Sequence, residues 1–126
     1  MSVALPDAMR HHDYTGLVAW QRAMDLTTSV YAASSVLPVQ ERYGLIAQMR
    51  RAAVSVPANI AEGQGRRTRG EFLNQLSVAH GSLRELETHV MLARRLGMME
   101  EGAMQGILKQ ASEVGRLING LSKSLQ

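Results

Sequence analysis

At 126 residues, 45% of them hydrophobic but only 4% aromatic, and with three prolines, the chain reads as one domain of helices packed through aliphatic and Met side chains rather than a β-sandwich. The absence of cysteine excludes a disulfide framework and a thiolate metal site. No apolar run approaches the ~20 residues of a membrane span, and the opening MSVALPDAMRHHD has neither an apolar signal core nor a cleavage site, so a cytoplasmic protein with no membrane role is expected. The net charge of +3 is local: of 14 basic and 11 acidic residues, six and one fall between Arg42 and Arg69, so that segment carries +5 and the rest −2. Arginine outnumbers lysine 12 to 2, and its planar fork suits phosphate or carboxylate better than a lysine point charge does.

Residues 1–15 show no sustained period and are expected to form a mobile tail ahead of a bundle domain over residues 16–126. His11 and His12 lack a third ligand, so no metal site is expected there. From Leu17 the period becomes helical, with Leu17, Trp20, Met24, Thr27 and Tyr31 forming one stripe that Pro38 ends. Trp20 and Tyr31 are assigned to that buried stripe rather than to a base-stacking platform.

A second helix is expected from near Glu41, with Leu45, Met49, Ala52 or Ala53, Val56 and Ile60 on its buried face and a kink at Pro57. Its opposite face gathers Gly44, Ala47, Val54 and Ala58 around Arg51, where a solvated helix would be crowded with Lys and Glu. Small residues there allow another backbone to approach, so a subunit contact is expected. The turn Gly63-Gln64-Gly65-Arg66-Arg67-Thr68-Arg69 ends this helix. Thr68 and Glu71 read as a capping box for the next one. A glycine turn flanked by arginines ahead of a helix N-terminus is also a seat for phosphate, although no Gly-Lys-Ser/Thr follows to make it a Walker loop.

The third helix carries an unbroken seam, Phe72, Leu76, Ala79, Leu83, Leu86, Val90 and Ala93, stopped by Gly97. His80, Arg84 and Glu87 form a polar ladder beside it. Val78, Gly81 and Leu92 mark a second face, and Arg50 or Arg51 pairing with Glu85 or Glu87 of a neighbouring helix is the concrete form of the expected subunit contact. The fourth helix runs from Glu101 or Met104 to Ser124, with Ile107, Ala111, Val114, Ile118, Leu121 and Leu125 buried and Gly106, Gly115 and Gly120 suggesting close helix approach. Four helices joined by short turns make an all-α, antiparallel up-down-up-down four-helix bundle.

The blocks WQRAMDL, YGLIAQMRRAAVSVPANIAEGQGR and FLNQLSVAHGSLRELETHVMLARRLG resemble the four-helix-bundle family named for the 23S rRNA intervening sequence, over roughly Tyr14 to Ser124. The resemblance implies a homopentamer with a central pore, and kinship with the accessory protein of diversity-generating retroelements, a basic pentamer that binds nucleic acid. It assigns no catalytic residues. Arg50, Arg51, Asn59, Glu62, Gly63, Gly65, Arg66, Ser82, Glu85 and Glu87 match the family motif without assigned chemistry.

Three functions are therefore weighed. The leading one is a non-enzymatic homo-oligomer that binds RNA through Arg50, Arg51, Arg66, Arg67 and Arg69 by releasing counterions from phosphates. No RNA-binding signature or stacking pair accompanies them, so recognition should be weakly sequence-specific. The alternative is a structural or protein-binding oligomer whose arginines serve subunit contacts. The last is a HEPN-like ribonuclease using Arg84 and His89, an Arg-x4-His spacing that arises easily by chance. No cofactor is expected, and neither Glu-x-x-His nor His-Glu-x-x-His is present for a di-metal bundle site.

Overall fold

The computed structural model describes residues 13–126, and the expectations for His11 and His12 lie outside them. Asp13 opens the described chain by accepting a hydrogen bond from the Thr15 N–H (3.1 Å), which caps a 3-10 turn over Tyr14–Gly16. Tyr14 packs edge-on against Trp20 with ring centroids 5.4 Å apart, so the last residues assigned to the tail lie against the bundle. Four helices follow: α1 (Val18–Ser34), α2 (Leu45–Gln64), α3 (Arg69–Arg95) and α4 (Glu101–Ser124).

Where two contacts join a pair of helices they run in opposite senses, as Gly63 beside Phe72 and Gly115 beside Leu83 add to the pairs that follow. Thr27 meets Ala53 and Ser34 meets Arg50 between α1 and α2. Ser55 meets Ser82 between α2 and α3. Arg94 meets Glu101 at the α3–α4 end, and Arg22 pairs with Glu113 between α1 and α4. The chain is thus an antiparallel four-helix bundle in which each helix packs on its two neighbours, most extensively along the α2–α3 seam.

The α3 seam is buried along its whole expected length, joined by His89. In α4, Ile107, Ala111, Val114, Ile118 and Leu125 are buried and Leu121 is half-buried. The stripe of α1 requires correction. Its buried residues are Ala19, Ala23, Leu26, Val30 and Ser34, whereas Met24 and Tyr31 are exposed and Leu17, Trp20 and Thr27 lie at the rim. Both stripes have helical spacing, and the one rich in alanine lets α1 settle closer to its neighbours.

The second helix begins at Leu45, not Glu41, because Val39–Glu41 forms a separate 3-10 turn. Gly44, at the N-cap, has no side chain to accept the orphan amides, and the Glu41 carboxylate does so instead, taking the Leu45 N–H at 3.0 Å. A Cβ on Gly44 would lie 2.8 Å from that carboxylate oxygen, the far end of a flexible side chain.

Pro57 sits inside α2 and offers no N–H to the Ala53 carbonyl. The hydroxyl of Thr27 reaches across from α1 to that carbonyl (3.1 Å), sharing its proton with Ala23 of its own helix (2.8 Å). Thr27→Val should therefore strand the Ala53 carbonyl and lower stability by about 1 kcal/mol, read as a lower urea midpoint at unchanged m-value.

Glycines were expected to end α2 and to bring α4 close to its neighbours, and their roles differ. Gly63 is buried within α2, where a Cβ would meet the Phe72 ring at 2.7 Å and the Gln75 Cβ at 2.9 Å. It is a contact point between α2 and α3 rather than a stop signal. Of the four α4 glycines only Gly115 faces a neighbour among the described residues, Leu83, at an ordinary 3.4 Å, while Gly102, Gly106 and Gly120 have none within 4 Å. Gly97 stops α3 with φ +75°, a left-handed conformation that favours glycine.

Candidate nucleic-acid interface

The basic turn is built by two helix ends. The Arg66 N–H bonds to the Gly63 carbonyl at 3.0 Å and the Gly65 N–H to the Ala61 carbonyl at 3.2 Å, closing the end of α2. Thr68 caps α3 by accepting from the Glu71 N–H at 3.2 Å, the forward half of the expected capping box. The N-terminus of this 27-residue helix carries partial positive charge next to the arginines. Arg66 and Arg67 are exposed, and among the described residues their guanidinium groups have no hydrogen bond or ion pair. Arg69, the first residue of α3, is half-buried, and its Nε is enclosed without a partner. These three arginines lie together where α2 meets α3, flanked by the exposed Glu62 and Glu71.

The other two arginines expected at this site lie elsewhere. Arg51 is 15 residues before Arg66, about 22 Å along the helix axis. Arg50 points to the opposite end of the molecule. Its Nε donates to the Ser34 hydroxyl (2.8 Å), its Nη2 to the Tyr31 carbonyl (3.3 Å), and its guanidinium lies over the Tyr31 ring, 4.6 Å from the centroid. Arg50 thus occupies the C-terminal carbonyls of α1, a favourable place for a cation.

The remaining motif residues sort by helix face. Asn59 donates to the Ser55 carbonyl (2.8 Å) and hydroxyl (2.9 Å), and Ser55 and Ser82 share a 2.8 Å hydrogen bond across the α2–α3 seam. Outside that seam the helical period puts Arg51, Val54 and Ala58 on one side of α2, and Val78, Gly81 and Glu85 on one side of α3. Val54 and Val78 are 43% and 46% exposed, and among the described residues nothing stands within 4 Å of a Cβ placed on Gly81. Ala47 is half-buried on the same side of α2. Arg51 has no ion pair among the described residues.

Arg84 and His89 do not converge. The Arg84 Nη1 is held by Glu87 at 2.9 Å on the side facing α4, whereas His89 is buried with its Nε2 3.7 Å from Glu85. Among the described residues no group of three His, Asp or Glu side chains could hold a metal ion. None of their helices is long and apolar enough to cross a membrane.

Two surfaces escaped the sequence reading. One is an apolar groove of about 700 Å³ between α1 and α4, lined by small residues such as Ala32, Ala33, Ala103 and Gly106. The other is a polar cleft of about 150 Å³ between α3 and α4. The ladder on α3 was legible as half of that cleft, but the facing residues of α4 carry no motif.

An all-helical bundle with an arginine-rich turn at the junction of its second and third helices is the class of protein that this arrangement defines. The chain belongs to the 23S rRNA-intervening sequence protein family, whose profile matches residues 15–120. A crystal structure from Bacteroides thetaiotaomicron, described as a protein with unknown function from the S23 ribosomal protein family, superposes with a TM-score of 0.78 at 20% identity, covering 84% of this chain and 96% of that one. At that identity the likeness speaks for the fold alone. Comparison with curated proteins finds none that matches.

Proposed function

We propose that this protein is a non-enzymatic, cytoplasmic homo-oligomer, a pentamer as the family resemblance implies, that binds RNA through its α2–α3 turn. The observation that carries the reading is the pair of exposed, unpartnered guanidinium groups of Arg66 and Arg67 beside Arg69 at the N-terminus of α3. Unpaired arginines at the positive end of a helix bind phosphates with little desolvation cost and release counterions in doing so. Several copies in one assembly would concentrate that field. Binding by phosphate contact alone follows backbone charge more than base identity. The test is the salt dependence of RNA binding by the Arg66→Ala/Arg67→Ala/Arg69→Ala variant. Binding with an unchanged slope would overturn the reading.

Self-association is assigned to the face of α2 and α3 around Arg51 and Gly81. A glycine in mid-helix costs about 1 kcal/mol relative to alanine, and among the described residues Gly81 has no neighbour to justify it. Gly81→Ala is expected to lower the assembled mass in light scattering while leaving the protomer helical. An assembly of unchanged mass, with the protomer stabilised by about 0.5–1 kcal/mol, would show instead that this face is solvated.

A reading as an oligomer that serves a protein partner rests on the exposed valines of the same face and the apolar α1–α4 groove. It predicts oligomer without RNA affinity. The same salt titration separates the two.

A further inference from the structure

The seam between α3 and α4 opens into a polar cleft far from the arginine turn; Arg84 lies 15 residues, or about 22 Å, along α3 from Arg69. Its floor is made of Leu83, Ala111 and Gly115, all buried. Gly115 keeps that floor low, since a Cβ there would stand above Leu83, 3.4 Å from its Cδ2. The walls are polar. Arg84 and His80 rise on the α3 side, Arg116 and Asn119 on the α4 side.

Both arginines are exposed, Arg84 with 67% of its side chain open, and each makes one bond to its own helix. Glu87, whose side chain is only 14% exposed, holds the Arg84 Nη1 at 2.9 Å, and the Arg116 Nη1 donates to the Ser112 hydroxyl at 2.9 Å. Each guanidinium has five N–H donors, so most remain available after these bonds. The side chains of His80 and Asn119 make no hydrogen bond among the described residues. The two arginines and one carboxylate carry a formal charge of +1.

We propose that this cleft binds a terminal phosphate, either inorganic phosphate or a phosphate monoester. Its volume of about 150 Å³ is several times the ~10–15 Å³ that a single water needs on the same measure. That admits a tetrahedral oxyanion but lies below the ~300 Å³ at which ligand sites for larger molecules begin. Planar arginine forks match phosphate oxygens in pairs. Glu87 sets the selectivity. A carboxylate beside the anion repels an oxyanion that carries no proton, but accepts a hydrogen bond from the P–OH of a phosphate monoanion. Sulfate at neutral pH and an internal phosphodiester have no such proton. The proposal therefore stands apart from backbone binding at the turn and does not need it.

The test is titration of the isotopically labelled full-length protein with sodium phosphate at pH 6.5 and constant ionic strength, following the Gly115 and Asn119 amides by NMR. Saturable shifts are expected, with sulfate about tenfold weaker or more, since a charge-assisted hydrogen bond is worth that factor. Arg116→Gln should weaken phosphate by about the same factor with the rest of the spectrum retained, and Glu87→Gln should abolish the preference over sulfate. Absence of saturable shifts, shifts that survive Arg116→Gln, or equal binding of sulfate would each overturn the proposal. If Arg116→Gln disturbs the fold, Asn119→Ala replaces it in the same comparison.

Competition then identifies the source of the phosphate. Displacement by a 5′-phosphorylated oligoribonucleotide but not its 5′-hydroxyl form assigns the cleft to RNA ends. Displacement by neither assigns it to a free phosphate. Because the Arg66→Ala/Arg67→Ala/Arg69→Ala variant retains the cleft, its phosphate titration separates failure here from failure of the turn.

Discussion

Gly63→Ala is expected to lower the stability of the bundle by about 2 kcal/mol, a typical cost of overpacking, and the melting temperature by roughly 8 °C for a chain of this size. The sign is what makes the experiment informative. In an open helix the same change would stabilise by about 1 kcal/mol through helix propensity. At Gly63 the new methyl would overlap the Phe72 ring and the Gln75 Cβ. Phe72 is fully buried, so its ring has no solvent to turn into, and Gln75 meets the methyl with its Cβ, the rigid end of the side chain. The helices must separate, or α3 must slide. Combining Gly63→Ala with Phe72→Leu should show a coupling of at least about 0.5 kcal/mol, because the leucine vacates part of the space the methyl needs. A neutral or stabilising Gly63→Ala would mean that α2 and α3 separate there without cost.

The Arg66→Ala/Arg67→Ala/Arg69→Ala variant should lose about two units of the slope of log K against log salt, at 0.7–0.9 units per phosphate contact. Near 0.1 M salt the same three contacts correspond to about a hundredfold weaker RNA binding. Arg66 and Arg67 are exposed, so removing them should change folding stability by no more than about 0.5 kcal/mol. The half-buried Arg69 is the reason to run the Arg66→Ala/Arg67→Ala pair alongside. Arg50→Ala makes the opposite control. It removes two hydrogen bonds from the end of α1, and should lower stability while leaving the salt slope in place.

How far each helix could be read depends on how many apolar stripes it carries. In α3 a single stripe from Phe72 to Ala93 satisfies the helical period, and that stripe is buried. In α1 two stripes satisfy it, one through Trp20, Met24 and Tyr31, the other through Ala23, Leu26 and Val30. Periodicity weighs them equally, and side-chain size pulls toward the wrong one. Packing reverses the choice: the alanines allow α1 to lie close to its neighbours, while Tyr31 serves better at the surface under the Arg50 guanidinium.

The glycines teach a related lesson. Gly63 and Gly65 look alike in the turn motif, yet one is a helix contact and the other a helix end. The difference lies in Phe72 and Gln75 of the next helix, whose register against α2 no local pattern states.

The chain by itself determined the helical class, the bundle, three of the four buried stripes and the place of the arginine turn, because these follow from period, turn chemistry and charge, all local in sequence. Tertiary structure alone decided which side of α1 faces inward, that Thr27 serves the carbonyl Pro57 leaves free, that Arg50 belongs to the α1 terminus, and that His80 and Arg84 stand across a cleft from Arg116 and Asn119. Each depends on the register and rotation of one helix against another, which are settled only when side chains from distant segments compete for the same volume and the same hydrogen bonds.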